Sequence, residues 1–126
     1  MSWARAHWVV GTLTLLLFPM AGLYMRHVAL VPQLDDATRM VFRSRFLFLL
    51  LAAVANLALA GVPHAGAIRR TASVLILAAP FPLAVAFFVD PYQGVQASAW
   101  SVYAMYAFFA AAVSLAVVNR PRRWAP

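Results

Sequence analysis

An all-α membrane protein, a four-transmembrane-helix bundle, is what this sequence predicts, and three observations predict it. Every charged residue lies outside four long apolar stretches, 6–25, 46–68, 71–89 and 91–119. Hydrophobic residues make up 65% of the 126-residue chain. A soluble domain of this size cannot hide that much apolar surface, whereas lipid can solvate it. Each stretch also supplies the about 20 helical residues that a hydrocarbon core of roughly 30 Å requires, and none alternates as a membrane β-strand does. The remaining connections are short. The chain therefore reads as one integral membrane domain over 1–126, with spans near 8–25, 42–61, 71–89 and 97–118.

Span one runs roughly from Trp8 to Met25, with Trp3 and Trp8 at one end and Tyr24 at the other, a placement that suits aromatic anchors at two interfaces. Arg5 followed by an apolar run resembles a signal peptide. The run continues through Pro19 to Met25 without a small-x-small cleavage site, so the span is expected to be retained. Pro32 forbids a smooth helical run through the connection over 26–34. Span two is expected to start ahead of the hydrocarbon, because Asp35 or Asp36 can cap a helix N-terminus. Asp35 also precedes Arg39 by four residues, the spacing of a helical ion pair. Arg43 and Arg45 are expected to snorkel towards headgroups. The helix should end near Gly61-Val62-Pro63. After a turn over 64–70, span three carries Pro80 and Pro82. Asp90-Pro91-Tyr92-Gln93-Gly94 reads as a tight turn. Span four runs from about Ala97 to Val118, entered by Trp100, and leads into a basic tail from Asn119.

Four spans put both termini on one side with the middle connection. That side holds Arg5, Arg69, Arg70, Arg120, Arg122 and Arg123; the other holds Arg26, Arg39, Arg43 and Arg45. The Arg excess predicts cytoplasmic termini. All three Asp fall on the four-Arg side, which nets +1 against +6 and accounts for the total of +7. The chain has no Lys and no Glu. Its high Arg and Ala usage suits a bacterial inner (plasma) membrane protein. A shift of 63 residues lays span one on span three and span two on span four. Phe18-Pro19-Met20-Ala21 then meets Phe81-Pro82-Leu83-Ala84, Gln33 meets Gln96, and Asn56 meets Asn119. This register raises a duplication of two helical hairpins, which some transporters share.

Composition excludes several chemistries. The chain has no cysteine, so disulfides, thiolate metal sites and Cys nucleophiles are out. Arg beside membrane spans acts on topology and headgroups rather than nucleic acid, which needs a continuous basic face. His7, His27 and His64 flank the spans without HxxxH or Glu-x-x-His spacing, so no metal or cofactor is expected and interfacial His is the ordinary reading. No residues fit a hydrolytic triad.

Three groups of residues remain. Arg26, Asp35, Asp36, Arg39, Arg43 and Asp90 gather at the outer face, where Arg forks suit carboxylate or phosphate. Solvated ion pairs and headgroup contacts are the simpler account of them. Pro19, Pro80 and Pro82 should kink their helices and open an outward cleft, or simply improve packing. Asn56, with Ala52 and Ala60 at four-residue spacing, suits close helix packing with a cross-helix hydrogen bond. In size and span count the chain resembles the small multidrug resistance transporters, which depend on a glutamate in the first helix. It has none. The Gly-rich and Asn-bearing helix signatures of the fluoride-channel family are absent too. The sequence thus predicts a non-enzymatic accessory or interaction protein, with the lipid bilayer and a second copy or another membrane protein as partners. A small oligomeric transporter or channel with a polar outer-face site is the alternative.

Overall fold

The computed structural model describes residues 2–63, 65–93 and 99–119, and these form helices and turns. Helix α1 covers Trp3–His27, α2 Asp36–Leu59, α3 Ala67–Ala78, α4 Pro80–Gln93 and α5 Ala99–Val118, with a 3-10 turn at Val31–Gln33. Four helical runs are long and apolar enough to cross a membrane: α1, α2, α3 with α4, and α5 from Trp100. Helix α1 and the run of α3 with α4 extend past their charge-free stretches at both ends, and α2 past its start, because the polar flanks are helical too; α5 lies inside its stretch. Asp35 caps α2, its carboxylate accepting the Thr38 N–H at 2.9 Å. That hydrogen bond holds the Asp35 carboxyl below its ordinary range.

Helices α1 and α2 form one hairpin, and α5 packs on α3 and α4 to form the other. The contact of α2 with α4 joins the two. Buried positions follow a period near 3.5. In α1 they are His7, Gly11, Thr14 and Ala21. In α2 they include Phe42, Leu49, Ala52, Asn56 and Leu59. The run of α3 and α4 continues the pattern through Ala72, Ile76, Ala79, Leu83, Phe87 and Asp90. In α5 the pattern is Ser101, Met105, Phe108, Ala111 and Leu115. Such a repeat is the seam of helices crossing at a shallow angle. Its content is unusual for a water-soluble core. Polar residues such as His7, Asn56, Ser73 and Asp90 turn inward beside Phe and Leu, while Leu13, Leu16, Phe81, Tyr103, Phe109 and Val113 are exposed.

Gly11 shows why α1 carries a glycine in this seam. A Cβ there would lie 2.9 Å from the backbone nitrogen of Leu57 and 2.8 Å from its Cγ. Only a bare Cα lets α1 approach α2 so closely. At the opposite end, Leu30 adopts a left-handed conformation, φ 48°. This turns the chain so that Val31 enters the core at 3% exposure.

The prolines act differently from one another. Pro19 lies inside an uninterrupted α1. The helical run breaks at Ala79, so Pro80 starts α4 and Pro82 falls in its first turn, the part of a helix that best tolerates proline. The expected tight turn at Asp90 is also corrected: α4 continues through Pro91 to Gln93. Pro91 gives up one hydrogen bond in the last turn. Asp90's contact with α2, below, and a Tyr92–Phe42 ring contact at 5.9 Å hold that turn in place. Gly94 lies outside the described residues, as do His64, Ala97 and the tail from Arg120.

Candidate functional site

Polar side chains collect at three places, and the outer-face cluster expected from sequence divides between two of them. The first is a cleft of about 500 Å³ bounded by the end of α1, the 3-10 turn and the start of α2. Arg26, Arg39 and Arg43 line it, and Met25, Val31 and Phe46 supply apolar walls. The Phe46 ring is fixed by stacking on Phe18, with centroids 3.9 Å apart. Arg39 pairs with Asp36 one turn earlier on the same helix. Asp35 stays at the helix cap. The expected i,i+4 partnership of Asp35 with Arg39 gives way to i,i+3 pairing with Asp36, because Asp35 is committed to the Thr38 N–H.

The second place is buried, and it corrects the expected role of two residues. Asp90 is not part of the arginine cleft. It is fully buried where α4 meets α2, and its Oδ2 accepts from Arg45 Nε at 2.8 Å. Arg45 does not snorkel outward as expected. Its side chain is only 13% exposed. Its Nη1 donates to Ser44 Oγ at 3.0 Å, and its guanidinium lies over the Phe48 ring, 5.7 Å from the centroid. Phe42 and Phe87, both fully buried, pack edge to face nearby at 5.7 Å. An ion pair so placed is strongly conformation-dependent, since losing either partner strands a buried charge. Sequence reasoning put Asp90 on one face with Arg26, Arg39, Arg43 and Arg45 without singling out Arg45 as its partner. Heptad spacing held the signal, because Arg45 lies on the same stripe as Leu49, Ala52 and Asn56.

The third place is at the other end of the bundle. Asn56, fully buried, joins three helices. Its Nδ2 donates to Ala52 O at 2.9 Å and to Ile76 O on α3 at 3.0 Å. Its Oδ1 meets His7 Nδ1 on α1 at 2.8 Å. Both amide hydrogens are used, so Oδ1 is the acceptor and His7 Nδ1 is the donor. Pro80 explains why Ile76 needs this donor. A helical residue at 80 would donate its N–H to the Ile76 carbonyl, and proline has none. The Asn56 amide takes that place, a common way of satisfying backbone freed inside apolar helices. The expected cross-helix role of Asn56 thus has its partners. Ala52 is fully buried beside it, while Ala60 is half-buried at the α2 C-cap.

His7 is the residue whose environment was misjudged. Expected at an interface, it is fully buried. Its position four residues before Gly11, on the small-residue seam, marks it as inward-facing. His27 is exposed at the end of α1. Ser73 and Ser101 are buried too, whereas Ser114 spends its hydroxyl on Ala110 O at 2.7 Å. Among the described residues no three His, Asp or Glu side chains come together as a metal-binding group. No family model, curated protein or solved structure matches the chain.

Proposed function

We propose that this chain is an integral protein of a bacterial inner membrane, with both termini cytoplasmic, serving without catalysis as an accessory or interaction subunit. The large apolar exterior, with polar side chains buried between the helices, carries this reading. Polar and small residues such as His7, Asn56, Ser73 and Asp90 are buried at the helix contacts among Phe and Leu, and large apolar residues also cover the outside of every helix. Lipid favours that arrangement, because tails solvate Leu and Phe while close packing and cross-helix hydrogen bonds hold the bundle. In water the same exterior would present apolar patches far larger than a monomer tolerates. A lipid-facing surface also offers another membrane protein, or a second copy, the same packing chemistry. The half-chain duplication belongs to this proposal as an origin for two packed hairpins.

Crosslinking in native membranes followed by native mass spectrometry tests it. Recovery with a second membrane protein or as an oligomer is expected. A lone monomer with no crosslinked partner would overturn the accessory role.

The three-arginine cleft favours a second reading, a small oligomeric transporter with a polar outer-face site. Between Arg45 and Asn56 the seam is filled by Leu49 and Ala53, and between Ile76 and Asp90 by Ala79 and Leu83, all buried. A permeation path would therefore run between copies rather than through one. Absence of anion, cation or organic-acid flux in proteoliposomes would dispose of this reading.

A further inference from the structure

We infer that the cleft between α1 and α2 is a binding site for a phosphate-bearing anion, specifically the headgroup of an anionic phospholipid. The inference rests on the membrane reading above. Three guanidinium groups from two elements, Arg26 at the end of α1 and Arg39 and Arg43 on successive turns of α2, face one volume of about 500 Å³. Among the described residues, Arg26 and Arg43 form no ion pair; the two pairs present engage Arg39 and Arg45. With Asp36 counted against Arg39, the cleft keeps two uncompensated positive charges. Each guanidinium offers a planar fork that matches phosphate oxygens.

The walls distinguish a lipid from a free ion. Met25, Val31 and the Phe46 ring lie beside the arginines. A cleft built only for inorganic phosphate has no use for so much apolar lining. A headgroup seated on the arginines would place its glycerol and first acyl carbons against these residues. One turn before Gly22 on α1, the Phe18 ring stacks on Phe46 and extends this apolar wall towards the middle of the helix. The cleft also sits where two apolar helices end, which is the level of headgroups in a bilayer. The Arg45–Asp90 pair lies apart, between α2 and α4, and is no part of this site.

The test compares three proteins in nanodiscs of phosphatidylcholine alone or with phosphatidylglycerol. They are the wild type, an Arg26→Gln/Arg43→Gln variant, and an Arg5→Gln/Arg70→Gln variant that removes two exposed arginines elsewhere. Retained lipid is read by native mass spectrometry, and stability by thermal unfolding in phosphatidylcholine. The wild type is expected to retain phosphatidylglycerol in preference. The cleft variant should lose that preference about tenfold or more, since each Arg near an anionic headgroup contributes on the order of 1 kcal/mol. The control variant should keep it. If the cleft variant fails to fold, Arg26→Gln alone, at an exposed position in the last turn of α1, gives the same reading with a smaller loss.

Equal retention by wild type and cleft variant, or equal loss in the control variant, overturns the inference. An arm with inorganic phosphate separates the two sources. Displacement of the lipid by millimolar phosphate would show a free-phosphate site and overturn the lipid assignment. Carbonate washing of native membranes is done first. Release of the protein there defeats the membrane reading; an embedded protein without lipid preference defeats this inference alone.

Discussion

Asn56 shows how much one polar side chain can settle. It makes up for the N–H that Pro80 lacks by donating to the Ile76 carbonyl, and it holds the imidazole of His7. Replacing it with Leu removes the buried partner of the Ile76 carbonyl and of His7 Nδ1. Leaving a buried group unsatisfied costs about 1–3 kcal/mol in water, and cross-helix bonds in membranes average nearer 0.6 kcal/mol. Asn56→Leu should therefore destabilise the bundle by about 2 kcal/mol in detergent unfolding. The partnership with Pro80 predicts more. In a Pro80→Ala background the helix regains its own donor for Ile76, so Asn56→Leu should cost less there, by about 0.5–1 kcal/mol of coupling. Strict additivity of the two substitutions would show that the Asn56 amide does not stand in for the missing backbone donor. The same scale explains one part of the site that stayed hidden. Asn56 stands out in an apolar run, so its packing role was legible. Its partners were not, because a backbone carbonyl has no letter in a sequence and His7 resembles any residue near a helix start.

Between elements, the contact of α1 with α2 depends on Gly11, and that of α2 with α4 on Arg45. Gly11→Ala would drive a Cβ into the Leu57 backbone, and backbone cannot step aside as a flexible side chain can. The α1–α2 hairpin should loosen, with a loss of about 1–3 kcal/mol typical of overpacking. Gly22→Ala is the control, because its nearest neighbour is the Phe46 ring at an ordinary 3.5 Å. If the two glycines tolerate Ala equally in thermal unfolding, the close approach at Gly11 is not what sets the helix spacing. The arginines of α2 differ just as sharply. Arg45→Leu strands the buried Asp90 carboxylate and should cost about 3 kcal/mol or more. Arg39→Leu breaks only an exposed pair within one helix, worth less than about 1 kcal/mol. Equal losses would mean that Asp90 finds solvent or another partner. Sequence reading placed four apolar segments and the capping Asp35 because length and charge are one-dimensional signals. It put Asp90 on the same side as Arg39, Arg43 and Arg45, without a pairing, because it had only sidedness to go on. Which arginine reaches Asp90 depends on the 3.5-residue seam that α2 and α4 share. That seam is faint in the sequence, where both faces of each helix are apolar and only scattered polar and small residues mark the inside.

At the scale of the molecule, the exterior decides what solvent this bundle expects. Leu16 lies near the middle of α1 and is 59% exposed, without a role in the core. In a water-soluble bundle, Leu16→Arg would replace an exposed apolar group by a charged one, with an effect within about 0.5 kcal/mol. In a bilayer the same change places a guanidinium near the hydrocarbon centre, at a cost of about 2.5–3.5 kcal/mol on an insertion scale. The two solvents therefore predict opposite outcomes from one substitution. Leu30→Arg is the matched control, because Leu30 is also exposed, at 44%, but sits in the connection after α1, where Arg meets water or headgroups in either case. Membrane recovery of the full-length chain, measured as the fraction resistant to carbonate washing, should fall severalfold for Leu16→Arg and stay unchanged for Leu30→Arg. Equal recovery of both would contradict lipid as the solvent of α1. A similar penalty at Phe81, exposed on α4 across the groove that Leu13 and Leu17 share with Pro80, would extend the conclusion to the second hairpin. Concordance of the two sites is the stronger result. A single lipid-facing helix anchors a protein, whereas lipid on both hairpins requires that the whole bundle, with its buried Arg45–Asp90 pair and its Asn56 node, be folded within the membrane.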